Sequence, residues 1–238
     1  MRPAFPGLLL GVDSTDILEK IPTGIEGLDE MLKGGIFAPA CVLVSGEAGT
    51  GKTIMCLQYL FWGAERGERG IYFTALGHPE ELKLRVLAGL RFVNMDHMES
   101  RLRFVDLTPS LDRGEAREVL DLITSQVEEW HPVRIVIDSL PLLEAALDNE
   151  FHRFLLRLRN AAKDWKAVTL ITADAREGCP YRQDLACMAD GVILLFNSEV
   201  GSARRRSLEV LKMAGCAHRI GKHAVDISSN GFVVIPGL

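Results

Sequence analysis

The segment SGEAGTGKTI, residues 45–54, has the residue types and spacing best suited to chemistry in this chain. It satisfies the pattern G-x-x-x-x-G-K-[ST] with Gly46, Glu47, Ala48, Gly49, Thr50, Gly51, Lys52 and Thr53. Glycines in such a loop let backbone amides point at phosphate oxygens, at the positive end of the helix that follows. The Lys52 ammonium is expected to contact the β- and γ-phosphates, and the Thr53 hydroxyl is expected to bind Mg²⁺. The loop therefore predicts a site for a nucleoside triphosphate with Mg²⁺.

A second candidate metal ligand closes the apolar run RIVID, residues 134–138. A carboxylate at the carboxyl end of a buried strand can hold the water shell of Mg²⁺ during phosphoryl transfer. Asp138 is therefore predicted to act with Thr53 on the metal side of the site. The structural alternative is that Asp138 caps the next helix beside Ser139.

The elements that must position these residues can be read from the hydrophobic pattern. Short β-branched apolar runs alternate with helical patterns along most of the chain, which indicates parallel βαβ units. Strands are expected at 40–46, 70–75, 101–107, 133–140, 166–173 and 190–196. Helices are expected at 51–65, 79–90, 114–130 and 149–164.

The period changes near the end of the chain, where strand-like runs follow one another with no room for helices. These runs occupy 204–212, 223–228 and 231–236. They predict antiparallel hairpins at one edge of the sheet. The expected fold class is α/β, a three-layer αβα domain with a mainly parallel central sheet.

The composition bounds the class of protein and its partners. The 27 basic side chains against 32 acidic ones give a formal charge of −5, which does not favour nucleic acid as a partner. The five cysteines are scattered without a C-x-x-C pair, so neither disulfides nor a zinc site is expected, and a cytoplasmic location fits best. The apolar runs are shorter than the ~20 residues of a transmembrane helix, so no membrane contact is expected.

Residues 1–20 are expected to form an N-terminal arm ahead of a single domain at 21–238. Pro6 and Gly7 interrupt the apolar run of the arm, which does not favour a signal peptide. The one dense basic run is Arg204, Arg205 and Arg206. It is interpreted as a solvated hairpin start, with contact to nucleic acid or to an acidic partner as the alternative.

The segment IPTGIEGLDEMLKGGI, residues 21–36, together with the phosphate loop, resembles the KaiC-like branch of the RecA superfamily. The resemblance continues through IDSL at 137–140, LEVLKMAGCAH at 208–218 and ISSNGFVVIP at 227–236. It implies a RecA-like P-loop domain in which Asp138 closes the Walker B strand. It also implies ATP held between neighbouring subunits of a homo-hexamer.

The chain departs from this family at the positions that activate water. KaiC-type domains usually have two adjacent glutamates shortly before a proline, and with Pro79 as the anchor those positions hold Leu76 and Gly77. Neither side chain can accept a proton. His78 and Glu80 are weak substitutes, because Glu80 is well explained as an acid in the first turn of the next helix.

A second departure concerns the cation that the resemblance places across the subunit interface. The family's K-x-R pair corresponds to Lys212 and Ala214, so the lysine is present and the arginine is replaced. Loss of such an arginine can lower the rate on the order of 10³-fold. His218 keeps the histidine that follows this pair, and Lys212 and His218 are predicted nucleotide contacts. Ser229 stands where an aspartate is common.

The binding groups are thus present while two groups for hydrolysis are replaced. The sequence predicts a KaiC-like regulatory protein in which ATP controls assembly or conformation, with weak or absent hydrolysis and an unidentified protein partner. The alternatives are an active ATPase motor or timer, and a recombinase-like nucleic-acid-binding ATPase. Ala186 and Cys187 replace the Ser-Thr pair that two-domain KaiC proteins phosphorylate, so no self-phosphorylation is expected there.

Overall fold

The computed structural model describes residues 19–75, 89–112, 114–175, 178–201 and 203–237. Its centre is a nine-stranded sheet of order β11-β10-β9-β8-β3-β7-β6-β4-β5. The strands of this sheet are β3 (Ala40–Gly46), β4 (Gly70–Thr74), β5 (Leu102–Asp106), β6 (Arg134–Asp138), β7 (Val168–Asp174), β8 (Gly191–Val200), β9 (Ala203–Met213), β10 (Lys222–Ser228) and β11 (Gly231–Ile235). A separate antiparallel pair is formed by β1 (Lys20–Ile21) and β2 (Ile36–Phe37).

Helices lie on both faces of the sheet. Those among the described residues are α1 (Leu28–Met31), α2 (Lys52–Ala64), α3 (Met95–Arg101), α4 (Thr108–Leu111), α5 (Ala116–Trp130), α6 (Leu140–Leu147), α7 (Phe151–Ala162) and α8 (Gln183–Met188). A 3₁₀ turn, Asp148–Glu150, joins α6 to α7. No helix in this part of the chain is long and apolar enough to cross a membrane.

The apolar core divides into two halves because side chains alternate across each strand. Val42 and Val44 of β3 face the half that contains α2 and α1, whereas Leu43 faces the half that contains α5, α6 and α7. This arrangement is the predicted three-layer αβα fold. The strands from β3 to β8 pair in parallel, and β8 to β11 pair antiparallel, as the change of period predicted.

One predicted boundary is wrong. The strand expected at 133–140 ends at Asp138, and Leu140 begins α6. The apolar residues Leu140, Leu143 and Leu147 follow a helical spacing that buries one face. The helix expected at 79–90 lies outside the described residues, except for its last two positions.

Candidate nucleotide-binding site

The phosphate loop lies between the carboxyl end of β3 and the amino end of α2. Gly49 has φ +78° and Gly51 has φ +103°, the left-handed region that glycine adopts without strain. A Cβ on Gly51 would lie 2.4 Å from Cδ1 of Ile227, so a larger residue would displace that side chain as well as strain the backbone. Thr50 closes the turn by donating from its hydroxyl to the Glu47 carbonyl at 2.8 Å.

Lys52 begins α2 and folds its side chain back over the loop. Its Nζ donates to the carbonyls of Gly46 at 2.6 Å and Glu47 at 3.1 Å, and it forms an ion pair with Asp174 at 2.9 Å. The Lys52 side chain is only 11% exposed. The ammonium is therefore held at the loop, where a bound phosphate chain would lie.

Asp138 ends β6 and is 4% exposed. Its Oδ2 accepts hydrogen bonds from the Thr53 hydroxyl at 3.0 Å and the Tyr72 hydroxyl at 2.5 Å. Its Oδ1 accepts from the Thr172 hydroxyl at 2.5 Å. Burial, and the negative charge of Asp138, raise the pKa of Tyr72 well above its usual value, so this phenol stays a donor.

These contacts fit a magnesium site better than a helix cap. Ser139, not Asp138, is the N-cap of α6, and no cap hydrogen bond from its side chain is present. Mg²⁺ prefers oxygen ligands and keeps several waters, using one or two protein groups beside substrate phosphates. The Thr53 hydroxyl and the Asp138 carboxylate, already adjacent, provide that kind of oxygen set.

A cavity of about 270 Å³ adjoins the loop on the side of the antiparallel strands. It is lined by Gly49, Gly51, Lys52, Thr53, Ile54, Arg206 and Ile227. The exposed Arg206 donates from Nε to the Gly49 carbonyl at 3.2 Å. Apolar side chains, Ile54 and Ile227, with the cations Lys52 and Arg206 beside them suit a nucleoside and its phosphates, since a nucleoside is largely apolar on its faces and polar at its edges.

Other residues of the predicted set lie elsewhere. Glu47 and Ala48 are exposed on the loop. Lys212, on β9, donates to the carbonyls of Ala189 at 2.6 Å and Ala186 at 3.4 Å, away from the loop of its own chain. The His218 ring lies 3.4 Å from the Cys216 carbonyl in the segment between β9 and β10.

Leu76 and Gly77, at the positions that activate water in the family, and the weak substitutes His78 and Glu80 lie outside the described part of the chain. Arg204, Arg205 and Arg206 begin β9 and are exposed. Arg204 faces Glu199 across the hairpin at 3.6 Å, which agrees with a solvated hairpin start. Arg206 departs from that interpretation because it contacts the loop.

Sequence reasoning missed three residues that contact Lys52 or Asp138, namely Tyr72, Thr172 and Asp174, and it did not predict that Arg206 contacts the loop. Tyr72 and Thr172 read as ordinary core positions of β4 and β7. Asp174 carried a signal, since it closes an apolar strand as Asp138 does. Its place beside the loop depends on the parallel register that pairs Gly46 with Asp174, which the pattern of one strand does not reveal.

The fold and this loop define a P-loop nucleotide-binding ATPase domain of RecA-like architecture. A family model described as the KaiC ATPase matches residues 21–238. The chain therefore belongs to the KaiC family of ATPases.

Relatives of similar size and of larger size are found. A UPF0273 protein of Thermotoga maritima is 29% identical over 92% of this chain and 97% of its own length. A UPF0273 protein of Methanopyrus kandleri is 31% identical over 92% of this chain and 93% of its own length. The circadian clock oscillator protein KaiC of Prochlorococcus marinus is 31% identical over 91% of this chain but only 45% of its own length.

A solved structure gives the same result at the level of the fold. The crystal structure of a KaiC-like protein from Pyrococcus horikoshii superposes with a TM-score of 0.83 at 27% identity. The match covers 92% of this chain and 100% of that one. The chain thus matches the UPF0273 proteins and the KaiC-like protein over nearly their whole lengths, and it spans about half the length of the circadian clock oscillator protein KaiC.

Proposed function

We propose that this protein is an ATP- and Mg²⁺-binding regulator with weak or absent hydrolysis. The observation that carries the proposal is the combination of a complete phosphate loop and the Thr53–Asp138 pair with Leu76, Gly77 and Ala214 at the family's catalytic positions. Binding needs the first set of groups, and turnover needs the second. The domain we assign to this function is 21–238, with residues 1–20 as an arm.

In this proposal the loop amides and Lys52 bind the phosphates. Thr53 and Asp138 hold Mg²⁺, which neutralises phosphate charge when bound. The nucleoside occupies the cavity beside Ile54, Arg206 and Ile227. Arg206 has two roles, because its contact with the Gly49 carbonyl also fixes the rim of the loop.

We further propose that ATP lies between subunits of a homo-hexameric ring and controls its assembly or conformation. Membership of the KaiC family supports this, and so does the open face of the loop cavity. Lys212 and His218 would reach the nucleotide of the neighbouring subunit. Lys212 lacks the forked geometry that makes arginine effective on a phosphoryl group during its transfer, which again favours binding over turnover.

A cytoplasmic location is part of the proposal. All five cysteines are unpaired, and unpaired thiols are typical of a reducing compartment. The partner that would read the nucleotide state is a regulatory protein.

The test is phosphate release measured on protein shown in the same sample to be saturated with ATP and Mg²⁺. Lys52→Ala, which removes the phosphate-binding ammonium, is the control for background hydrolysis. We expect wild-type protein to bind ATP and to release phosphate no faster than the control. Clear turnover that the Lys52 change abolishes would instead establish an active ATPase, with His78 and Glu80 as the next residues to replace.

A further inference from the structure

The ion pair between Lys52 and Asp174 joins the phosphate loop to a carboxylate that no motif includes. Nζ of Lys52 has three acceptors: the Gly46 carbonyl at 2.6 Å, the Glu47 carbonyl at 3.1 Å and Oδ1 of Asp174 at 2.9 Å. An ammonium group has three protons to donate. Every proton of Lys52 is thus already engaged, and a phosphate must displace at least one acceptor.

Asp174 lies at the carboxyl end of β7, at the same end of the sheet as the phosphate loop and Asp138. β7 pairs on one side with β3, where Gly46 is opposite Asp174, and on the other side with β6, which ends in Asp138. Asp174 is 58% exposed, so its charge faces the space above the strands. Among the described residues, Lys52 is its only ion-pair partner.

Two cavities, one at the loop and one at Asp174, give the direction in which a nucleotide would lie. The nucleoside cavity, with Arg206 and Ile227, is on the side of β9 and β10. A second cavity of about 110 Å³ lies at the end of β7, between α6 and α8, and β7 is the neighbour of β3 on the side away from β8. Its lining residues are Leu140, Pro141, Glu144, Ala173, Asp174, Arg182 and Leu185. In the proposed site, a triphosphate that runs from the nucleoside cavity along the loop toward Asp138 would bring its γ-phosphate close to Lys52 and hence to Asp174, which pairs with Lys52.

The cation that lines this second cavity, Arg182, already pairs with carboxylates. Arg182 pairs with Glu144 and with Asp184, the latter at 2.5 Å between Nη2 and Oδ2, and its side chain is 15% exposed. The hydrogen bond from Arg182 holds the pKa of Asp184 below its usual value, so both partners of this ion pair stay charged. Lys52 is therefore the cation that Asp174 and a γ-phosphate both contact.

We propose that Asp174 is a specificity-determining residue that weakens ATP binding more than ADP binding. It competes with any bound phosphate for Lys52, which affects both nucleotides. It also places a negative charge beside the γ-phosphate, which affects ATP alone. This inference rests on the proposed nucleotide site. By weakening ATP binding, Asp174 would let a regulator respond to changes in the ratio of ATP to ADP.

The experiment compares the full chain with Asp174→Asn and Asp174→Glu by titration with fluorescent ATP and ADP in excess Mg²⁺. Asp174→Asn removes the charge while keeping size, and we expect the Kd to fall about tenfold for ATP and about threefold for ADP. Asp174→Glu keeps the charge and should retain the wild-type ratio of the two Kd values. Glu199→Gln, an equal change of charge at a 77% exposed position of the same sheet end, should alter either Kd less than about twofold.

The outcomes separate this inference from the proposed function. If wild-type protein binds ATP and Asp174→Asn binds it equally or more weakly, Asp174 does not oppose the γ-phosphate and the inference is wrong. An equal gain for ATP and ADP would leave only competition for Lys52 and would also overturn the stated specificity. Binding in neither protein would contradict the nucleotide site itself.

Discussion

Among the described residues, the partners of the Asp138 carboxylate are hydroxyl groups and not cations, and this arrangement suits a metal site. Thr53, Tyr72 and Thr172 each donate a hydrogen bond to its carboxylate. Hydroxyl donors fix the orientation of the carboxylate without neutralising its charge, so the charge remains for Mg²⁺. A lysine or arginine in the same place would compete with the metal.

Tyr72→Phe tests one of the two shorter hydrogen bonds to Asp138. The change removes a hydrogen bond to a buried carboxylate, and we expect it to lower the free energy of unfolding by about 1.5–3 kcal/mol. Urea unfolding at pH 8 measures the difference. Thr53 keeps its contact with Asp138, so the variant should still bind ATP, and a complete loss of binding would contradict this account.

The same variant has a defined pH dependence. The pKa of Tyr72 is raised in the folded state, so the folded protein keeps this proton while the unfolded chain releases it above about pH 10. The stabilisation is complete below that pH and is lost as the pH rises further. Wild-type stability should therefore fall more steeply above pH 10 than that of Tyr72→Phe. Equal slopes would show that Tyr72 does not hold its proton more tightly in the folded state.

At the scale of elements, the sequence predicts the parallel core well and the site only in part. β3, β6 and β7 are buried on both faces, so they are mostly apolar and stand out in the chain. The helix α6 was missed because its apolar residues continue directly from the run of β6. Asp174 was missed because its role comes from the pairing of β7 with β3, two strands far apart in the chain.

Arg134 connects four parts of the α2 side of the fold and is fully buried. Its guanidinium pairs with Glu68 and donates to the Pro22 carbonyl at 2.8 Å and the Tyr59 carbonyl at 3.3 Å. Gly63 is needed here, because a Cβ would lie 2.1 Å from Nε of Arg134. This contact fixes the start of β6, and hence Asp138 at its other end, relative to α2 and the phosphate loop.

Arg134→Ala is expected to destabilise the fold strongly. Removing one partner of a buried ion pair costs about 3–5 kcal/mol, because the other polar groups lose their partners. Arg103→Ala is the matched control, since Arg103 pairs with Glu129 at 2.9 Å but Glu129 is 61% exposed. That change should cost less than about 1 kcal/mol. Thermal unfolding without nucleotide measures the loss of stability in each variant. Equal losses in the two variants would contradict a special role for Arg134.

At the scale of the whole molecule, the antiparallel strands β9 to β11 and their connections expose large apolar side chains. Ile220 is 84% exposed, Ile235 is 55% exposed and Leu211 is 38% exposed. All three belong to the strands and the connection that follow β8, the same part of the chain that carries Lys212 and His218. Contact with a neighbouring subunit would cover this surface and bring Lys212 toward its nucleotide.

Nucleotide-dependent assembly is the prediction that belongs to this scale. A ligand that binds the assembled form but not the free subunit stabilises assembly by about 2.7 kcal/mol at a concentration one hundred times its Kd. We expect sedimentation velocity to show subunits or small species without nucleotide and a hexamer with saturating ATP and Mg²⁺.

Lys52→Ala should stay unassembled under the same conditions, because it lacks the phosphate contact. Ile235→Lys should bind ATP but assemble less, since it places a charge on the surface to be covered. A hexamer of equal stability with and without ATP, or in Lys52→Ala, would show that nucleotide does not control assembly.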